Sequence, residues 1–267
     1  MVGTPLLGRV APAADPTTQV QETPDDTMST RQTVTLGSER FRVGPWHADP
    51  AVAYLALFPE QPRPSVEGLR RCCDRLSEVG YSSIITSALH TVEADPFLAA
   101  GFEEYDRLRV LAHDLHDVPE SPAAGTPDGL RLRRARRRDH TLALAVDGRA
   151  FPAFWRLDRT GLDEAIEATP RTRFRVAEID DEIVGYAVTG RAGDQGFLQR
   201  LATEPTRTRE GVGSSLVLDA LRWAGRRRVR RMLVNTQYDN QRALDLYVGL
   251  GFELTPTDLV VLSRPIP

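Results

Sequence analysis

The chain has 267 residues, 41% of them hydrophobic, which allows one large or two modest packed domains and excludes a wholly disordered chain. It has no run of about 18 apolar residues, which excludes a membrane-spanning helix, and its start lacks the basic and apolar stretches of a secretory signal. All 34 basic residues are arginine against 37 acids, and residues 1–127 hold 10 Arg and 18 acids where residues 128–267 hold 24 Arg and 19 acids, so phosphate chemistry suits the second part.

Residues 1–38 are rich in Pro, Thr, Asp and Gln without periodicity and read as a disordered tail, with Met28 as an alternative translation start. Residues 39–118 read as structured. The pattern predicts a strand at 40–43 and a helix opened by Pro64 and Ser65 that runs to Glu78, with Val66, Leu69, Cys72, Cys73 and Leu76 at helical spacing. Cys72 and Cys73 are adjacent, so they do not pair with each other, and no metal-ligand spacing surrounds them. A strand at 81–86, a short helix at 96–100 stopped by Gly101 and a strand at 108–112 follow. Residues 119–129, with Pro119, Pro122, Gly125, Pro127 and Gly129, form a linker.

Residues 130–267 read as a second domain. Strands are predicted at 130–135, 172–179, 182–190, 196–203, 230–236 and 258–263, and helices at 139–147, 158–168, 211–228 and 240–249. The turn between the second and third of these strands contains Asp180-Asp181, which is not an ideal turn pair. This order describes a mixed α/β sheet flanked by helices rather than a bundle or a sandwich.

The two parts share a pattern. Gly101-Phe102-Glu103 and Gly251-Phe252-Glu253 stand 150 residues apart, and Leu108-Arg109-Val110-Leu111 answers Leu259-Val260-Val261-Leu262. Gly-Phe after a helix is a common stop. The ordered run of helix, strand, short helix, Gly-Phe-Glu and apolar strand nonetheless favours a repeat relating 65–112 to 215–262.

The chemistry concentrates in the second copy. The strand Phe197-Leu198-Gln199-Arg200-Leu201-Ala202-Thr203 runs through Glu204-Pro205-Thr206-Arg207-Thr208 into Arg209-Glu210-Gly211-Val212-Gly213-Ser214, where a helix starts. Glycines at such a junction let successive N–H groups converge on an anion beside the positive end of the helix. No lysine follows, so this is not a Walker loop, and the third glycine of a dinucleotide fingerprint is missing. A later amphipathic helix carries Asn240 and Tyr247 and ends in Gly251-Phe252.

In this order and at this distance, the loop and the later helix resemble the GNAT N-acetyltransferase superfamily across residues 130–267, most strongly 196–252. The resemblance implies a GNAT fold preceded by a smaller, degenerate GNAT-like half, with acetyl-coenzyme A as co-substrate and no metal. Carried over, Leu201, Ala202 and Thr203 would meet the pantetheine arm. Arg209, Glu210, Gly211, Val212, Gly213 and Ser214 would hold the pyrophosphate. Asn240 and Tyr247 would be the helix contacts, with Tyr247 protonating the departing thiolate. The sequence departs from the family at Thr208, where Gln or Arg is usual. The first copy has no glycine loop, has Phe97 where the second has Tyr247, and has His90 opposite Asn240, so it is expected to pack rather than catalyse.

The implied function is transfer of an acetyl group to a primary amine of a small molecule or protein. The alternative is a non-catalytic acyl-coenzyme A binding or sensing module, because 197–200 lacks the acid that many relatives carry there. Glu178, acting through water, and His140 are the nearest candidates for a base; each also reads as a surface or capping group, and the base stays unassigned. The segment Phe151-Pro152-Ala153-Phe154-Trp155 either walls an acceptor pocket or plugs the core between the halves. Arginine fills six of the eight positions 131–138 and five of the six positions 226–231. Without interleaved aromatics, and with a net charge of −3, these runs read as solvated faces rather than a nucleic-acid surface. A cytoplasmic, membrane-free protein is the simplest expectation, and a homo-oligomer is compatible with the sequence.

Overall fold

Alternating apolar residues build three strands at the start of the described chain, β1 (Gln32–Leu36), β2 (Glu39–Trp46) and β3 (Asp49–Leu57). Helix α1 (Val66–Val79) follows, capped by Ser65, whose hydroxyl accepts from Gly68 N, and stopped by Gly80 at φ 101°. Then come β4 (Ser83–Thr86), β5 (Leu89–His90), α2 (Asp95–Ala99) and β6 (Glu103–His113). The second part contains β7 (Arg131–Arg134), α3 (His140–Ala150), α4 (Arg159–Glu167), β8 (Arg171–Ile179), β9 (Glu182–Ala192) and β10 (Gln195–Thr203). It ends with α5 (Val212–Gly225), β11 (Arg231–Gln237), α6 (Gln241–Val248), β12 (Glu253–Leu254) and β13 (Leu259–Pro265). The structure is a computed structural model describing residues 31–47, 49–58, 61–123 and 125–267.

One reading from sequence changes and another holds. Strand β1 falls inside the stretch expected to be tail, because Thr33–Arg42 and Val34–Phe41 pairing ties it to β2. The rest of that tail, residues 1–30 with Met28, lies outside the described residues. The β8–β9 hairpin does turn at Asp180 and Asp181, at φ 51° and 64°. Aspartate tolerates the left-handed region better than most side chains, so a pair without glycine still makes the tight turn.

All strands join one mixed sheet in the order β1-β2-β3-β4-β13-β6-β11-β10-β9-β8-β7. The centre of that order shows an exchange. Strand β6, which ends the first half, pairs antiparallel with β11 of the second half (Val234 opposite Leu111). Strand β13, which ends the second half, pairs antiparallel with β4 of the first (Arg264 opposite Ile84). The two exchanged strands pair with each other, Leu259 opposite Leu108. Each short strand follows the same rule: β12 pairs with β6 and β5 with β13. Phe97 packs against Phe102 at 5.3 Å as Tyr247 packs against Phe252 at 5.5 Å. The repeat read from Gly-Phe-Glu is thus a repeat in space.

Three apolar clusters fill the structure among the described residues. One lies under α5 and α6 (Leu201, Leu216, Val217, Tyr247), and one lies under α1 and α2 (Leu55, Leu69, Cys72, Phe97). The third joins Trp46, Ile85 and Leu108 of the first half to Val146, Trp155 and Tyr186 of the second. Because this cluster and the sheet are continuous across the halves, neither half is complete alone.

Candidate active site

The site begins where two parallel strands part. Strands β10 and β11 pair only from Gln195 opposite Arg231 to Phe197 opposite Leu233. A register shift between Leu198 and Arg200 bends β10 at that point. Beyond Phe197, β10 continues without a β11 partner, leaving one row of peptide groups facing the gap. The corresponding strands of the first half do not part. Residues 52–55 of β3 pair with 83–86 of β4, and Ser87 N continues the ladder to Leu55 O at 2.8 Å.

A cleft of about 1350 Å³ opens from this gap. One end is the loop that leads into α5. Arg209 and Gly211 both adopt left-handed backbone, at φ 67° and 87°. At Gly211 any Cβ would stand 2.4 Å from the Gly125 carbonyl oxygen, so the linker itself demands glycine there. Thr208 is held inside the loop: its hydroxyl donates to Pro205 O at 2.7 Å and accepts from Arg242 at 3.3 Å. Glu204 is clamped by Arg149, with Nε 3.0 Å from the carboxylate. Arg207, Arg209 and Arg242 also line this end, next to the N-terminus of α5, which makes it favourable for phosphates.

The other end is aromatic and carries a carboxylate. Tyr105 and Asp106 of β6 face Phe151, Phe154, Trp155 and Gln237. Trp46 Nε1 donates to Phe154 O at 3.0 Å and its ring lies 5.3 Å from Phe154 and 5.8 Å from Trp155. Tyr105 stacks 4.8 Å from Phe154. The aromatic segment therefore lines the cleft and also packs between the two halves.

Behind this wall lies a fully buried ion pair. Arg200 Nε and Nη2 donate to Asp147 at 2.7 and 2.8 Å, and Nη2 also reaches Trp155 O at 2.8 Å. Tyr186 and Leu157 N donate to the same carboxylate, and the guanidinium lies 3.5 Å over the Phe151 ring. Arg200 thus uses its burial to fix α3, β10 and the Phe151–Trp155 segment as one unit.

The residues singled out from sequence divide into three groups. Thr203, Arg209, Gly211, Val212, Gly213, Ser214 and Asn240 line the cleft together. Leu201 and Ala202 bury their side chains in opposite apolar clusters, which leaves their backbone as the only part available to a ligand, and Glu210 pairs with Arg207 at 3.4 Å. Tyr247 does not line the cleft. It packs with Leu201, Val212 and Leu216, and its hydroxyl is buried without a hydrogen-bond partner among the described residues. Burial raises its pKa well above that of an ordinary tyrosine. Asn240 caps α6, accepting from Ala243 N at 3.2 Å.

Neither base candidate from the sequence lies in the cleft. Glu178 is held by Arg133 and Arg131, whose hydrogen bonds lower its carboxyl pKa, and it sits in the β7–β8 pairing. His140 is pushed down by burial and then by Arg159. Asp106 and Tyr105 were missed because they belong to the first half, and nothing in the local sequence signals that β6 crosses over. The arginine run 131–138 is partly structural as well: Arg133 reaches Asp139 at 2.6 Å and Glu178 at 2.6 Å.

Residues 136–252 match the acetyltransferase (GNAT) family model. This stretch is a GNAT domain. The chain is 28% identical over 208 residues to a mycothiol acetyltransferase of Amycolatopsis mediterranei, covering 72% of this chain and 68% of that protein. It is 28% identical over 177 residues to the mycothiol acetyltransferase of Frankia alni, of which it spans 53%. Among solved structures, a tandem GNAT protein from the clavulanic acid biosynthesis pathway superposes with a TM-score of 0.61 at 16% identity, over 85% of this chain and 78% of that one. A GCN5-related N-acetyltransferase from Kribbella flavida superposes with a TM-score of 0.58 at 16% identity, over 89% and 91%. The fold is thus that of the GNAT domain preceded by a smaller, degenerate GNAT-like half.

The first half differs at the corresponding helix end. Its counterpart of α5 is α1, and the N-terminus of α1 already carries an anion, Glu39, which accepts from Ser65 N at 2.5 Å and from Ser65 Oγ at 3.1 Å. A Cβ on Gly68 would fall 1.8 Å from that carboxylate. A resident carboxylate satisfies the helix end that α5 leaves open.

Proposed function

We propose that the chain is an acetyl-coenzyme A-dependent N-acetyltransferase that acetylates a primary amine of a small molecule or peptide. The observation that carries this reading is the parting of β10 and β11 over a cleft that joins the Arg209–Ser214 loop at one end to the aromatic wall at the other. A phosphate-bearing, extended co-substrate fits that shape. Its phosphates meet the loop amides and Arg207, Arg209 and Arg242, and its amide-containing arm runs along the free edge of residues 201–203. The name of the relatives in A. mediterranei and F. alni favours a small-molecule acceptor.

Acetyl-coenzyme A supplies an activated acyl group as a thioester. The chain supplies position, charge and proton transfer. N–H groups on the edge of β10 that has no β11 partner beyond Phe197 would steady negative charge on the acyl oxygen. The Tyr247 hydroxyl, which the resemblance assigns to the departing sulfur, is buried and does not line the cleft, so a role there requires α6 to shift when the co-substrate binds. A thiolate leaves without much help, so Tyr247 adjusts the rate rather than deciding it.

Thiol release from acetyl-coenzyme A with a panel of primary amines, with the acetylated product identified by mass, tests the reading. Amine-dependent release supports it. Tight coenzyme A binding with no turnover of any amine would replace it with the acyl-coenzyme A binding or sensing module, the reading suggested by the lack of an acid on β10.

A further inference from the structure

We propose that Asp106, delivered by the exchanged strand β6 of the non-catalytic half, is the general base and the anchor for the acceptor's ammonium. The proposal rests on the N-acetyltransferase reading above. Asp106 lines the cleft between Tyr105 and Gln237, at the end opposite the phosphate loop and beside the Phe154–Trp155 wall. Among the carboxylates that line this cleft, Asp245 is held by Gln241 at 2.6 Å on the outer face of α6, and Asp239 lies in the exposed turn before that helix. Asp106 is half-buried on the sheet itself.

The surroundings of Asp106 suit the task. Its Oδ1 accepts from Arg107 N at 2.7 Å, which fixes the rotamer, and Gln237 of β11 hydrogen-bonds to it. On the opposite side β13 presents Val261, which carries no charge. The charged groups facing it are Glu104 and Arg107 on its own strand and Asp239 from the turn after β11. Arg107 is already taken up by Glu104 at 2.9 Å and does not neutralise Asp106. Burial first, then Asp239 and Glu104, raise its carboxyl pKa above the ordinary range, against the two hydrogen bonds. A carboxylate raised in this way is a better proton acceptor, and each unit by which it and the amine approach recovers a factor of about ten.

The step balances as follows. The acceptor enters as R–NH3⁺ and pairs with the Asp106 carboxylate, which takes one proton. The neutral amine forms the N–C bond to the acyl carbon as the C–S bond breaks. The second nitrogen proton passes to the thiolate. The products are the amide and coenzyme A thiol, and Asp106 releases its proton to solvent. No oxidant, reductant or metal is needed. The exchange of β6 and β13 then has a chemical use, because the silent half contributes the acid–base group that β10 lacks.

The test uses the full chain, acetyl-coenzyme A, and the best amine of the panel, comparing wild type with Asp106→Asn and Asp106→Glu. Coenzyme A affinity and melting temperature are measured alongside. The proposal expects Asp106→Asn to keep coenzyme A affinity within about twofold while kcat/KM falls about 10²–10⁴-fold at neutral pH. The Asn variant should lose the acidic limb of the pH–rate profile and regain rate as pH rises and free amine accumulates. Asp106→Glu should restore part of the activity. An Asp106→Asn enzyme with the wild-type rate and pH profile would overturn the proposal and leave the acetyltransferase reading standing. A wild-type chain that binds coenzyme A and acetylates no amine would overturn both.

Discussion

The Gly211 and Gly213 pair separates backbone geometry from side-chain space within one loop. Gly211 stands at φ 87°, and an added Cβ would come 2.4 Å from the Gly125 carbonyl oxygen. A left-handed alanine costs about 1–2 kcal/mol relative to glycine, and relief of the clash requires the 125–127 linker to lift off the loop. Gly213 lies inside the helical turn, and its Cβ would meet Leu246 at 3.5 Å and Thr203 at 3.7 Å, ordinary contact distances. For Gly211→Ala we expect a loss of about 2–3 kcal/mol, the strain plus part of the clash, which corresponds to a melting temperature lower by roughly 4–12 °C for a chain of this size. Coenzyme A affinity should fall at least tenfold, because the amides that converge on the anion turn with the backbone. Gly213→Ala should leave melting within about 2 °C and affinity within about threefold, since that substitution spares both backbone and linker. Differential scanning fluorimetry and equilibrium binding of coenzyme A read both quantities. If Gly211→Ala matched wild type in both, the loop would not hold its ligand through the backbone geometry described.

Other substitutions reach different parts of the account. Asp147→Ala strands the buried Arg200 guanidinium and should cost about 3–5 kcal/mol, while the double change Asp147→Leu with Arg200→Met should recover much of that; chemical denaturation measures both. Tyr247→Phe removes a buried hydroxyl without a partner, so stability should hold or rise while kcat falls by no more than about tenfold; a large loss of stability would mean that the hydroxyl has a partner. His47 is held neutral chiefly by burial and then by Arg200 and Arg31, with its pKa lowered to about 3. Its folded pKa lies below the unfolded value near 6.5, so the unfolded chain binds the extra proton, and stability should fall as pH drops from about 6.5 toward 3, by at most about 1.4 kcal/mol per pH unit. His47→Leu should flatten that slope by up to one proton, measured by denaturation at several pH values.

Local chemistry made many elements of both halves legible. The Ser65 helix start, the helical spacing of α1, the helix at 158–168 and the strand–loop–helix run at 196–225 all follow from short-range rules, and the structure has these elements within a few residues. The pairing pattern was not legible. Leu108–Leu111 reads as an apolar strand in either half, and only the assembled sheet decides that it lies against β11. The same crossing hides Asp106 and Tyr105 from any reading confined to 130–267. The Asp147–Arg200 pair was equally invisible, because the two residues lie 53 positions apart and arginine is common throughout this chain. Residues 197–200 of β10 carry no acid, and the cleft is lined by a carboxylate of the other half, Asp106.

The central claim is that residues 209–214 hold the phosphates of coenzyme A while the free edge of β10 holds its arm. Amide hydrogen exchange of the full chain, with and without saturating coenzyme A, tests it most directly. Slower exchange at residues 211–215 and 201–203, with the first-half helix α1 unchanged, is the expected result. Saturating coenzyme A that left residues 211–215 exchanging at their unliganded rate would contradict it.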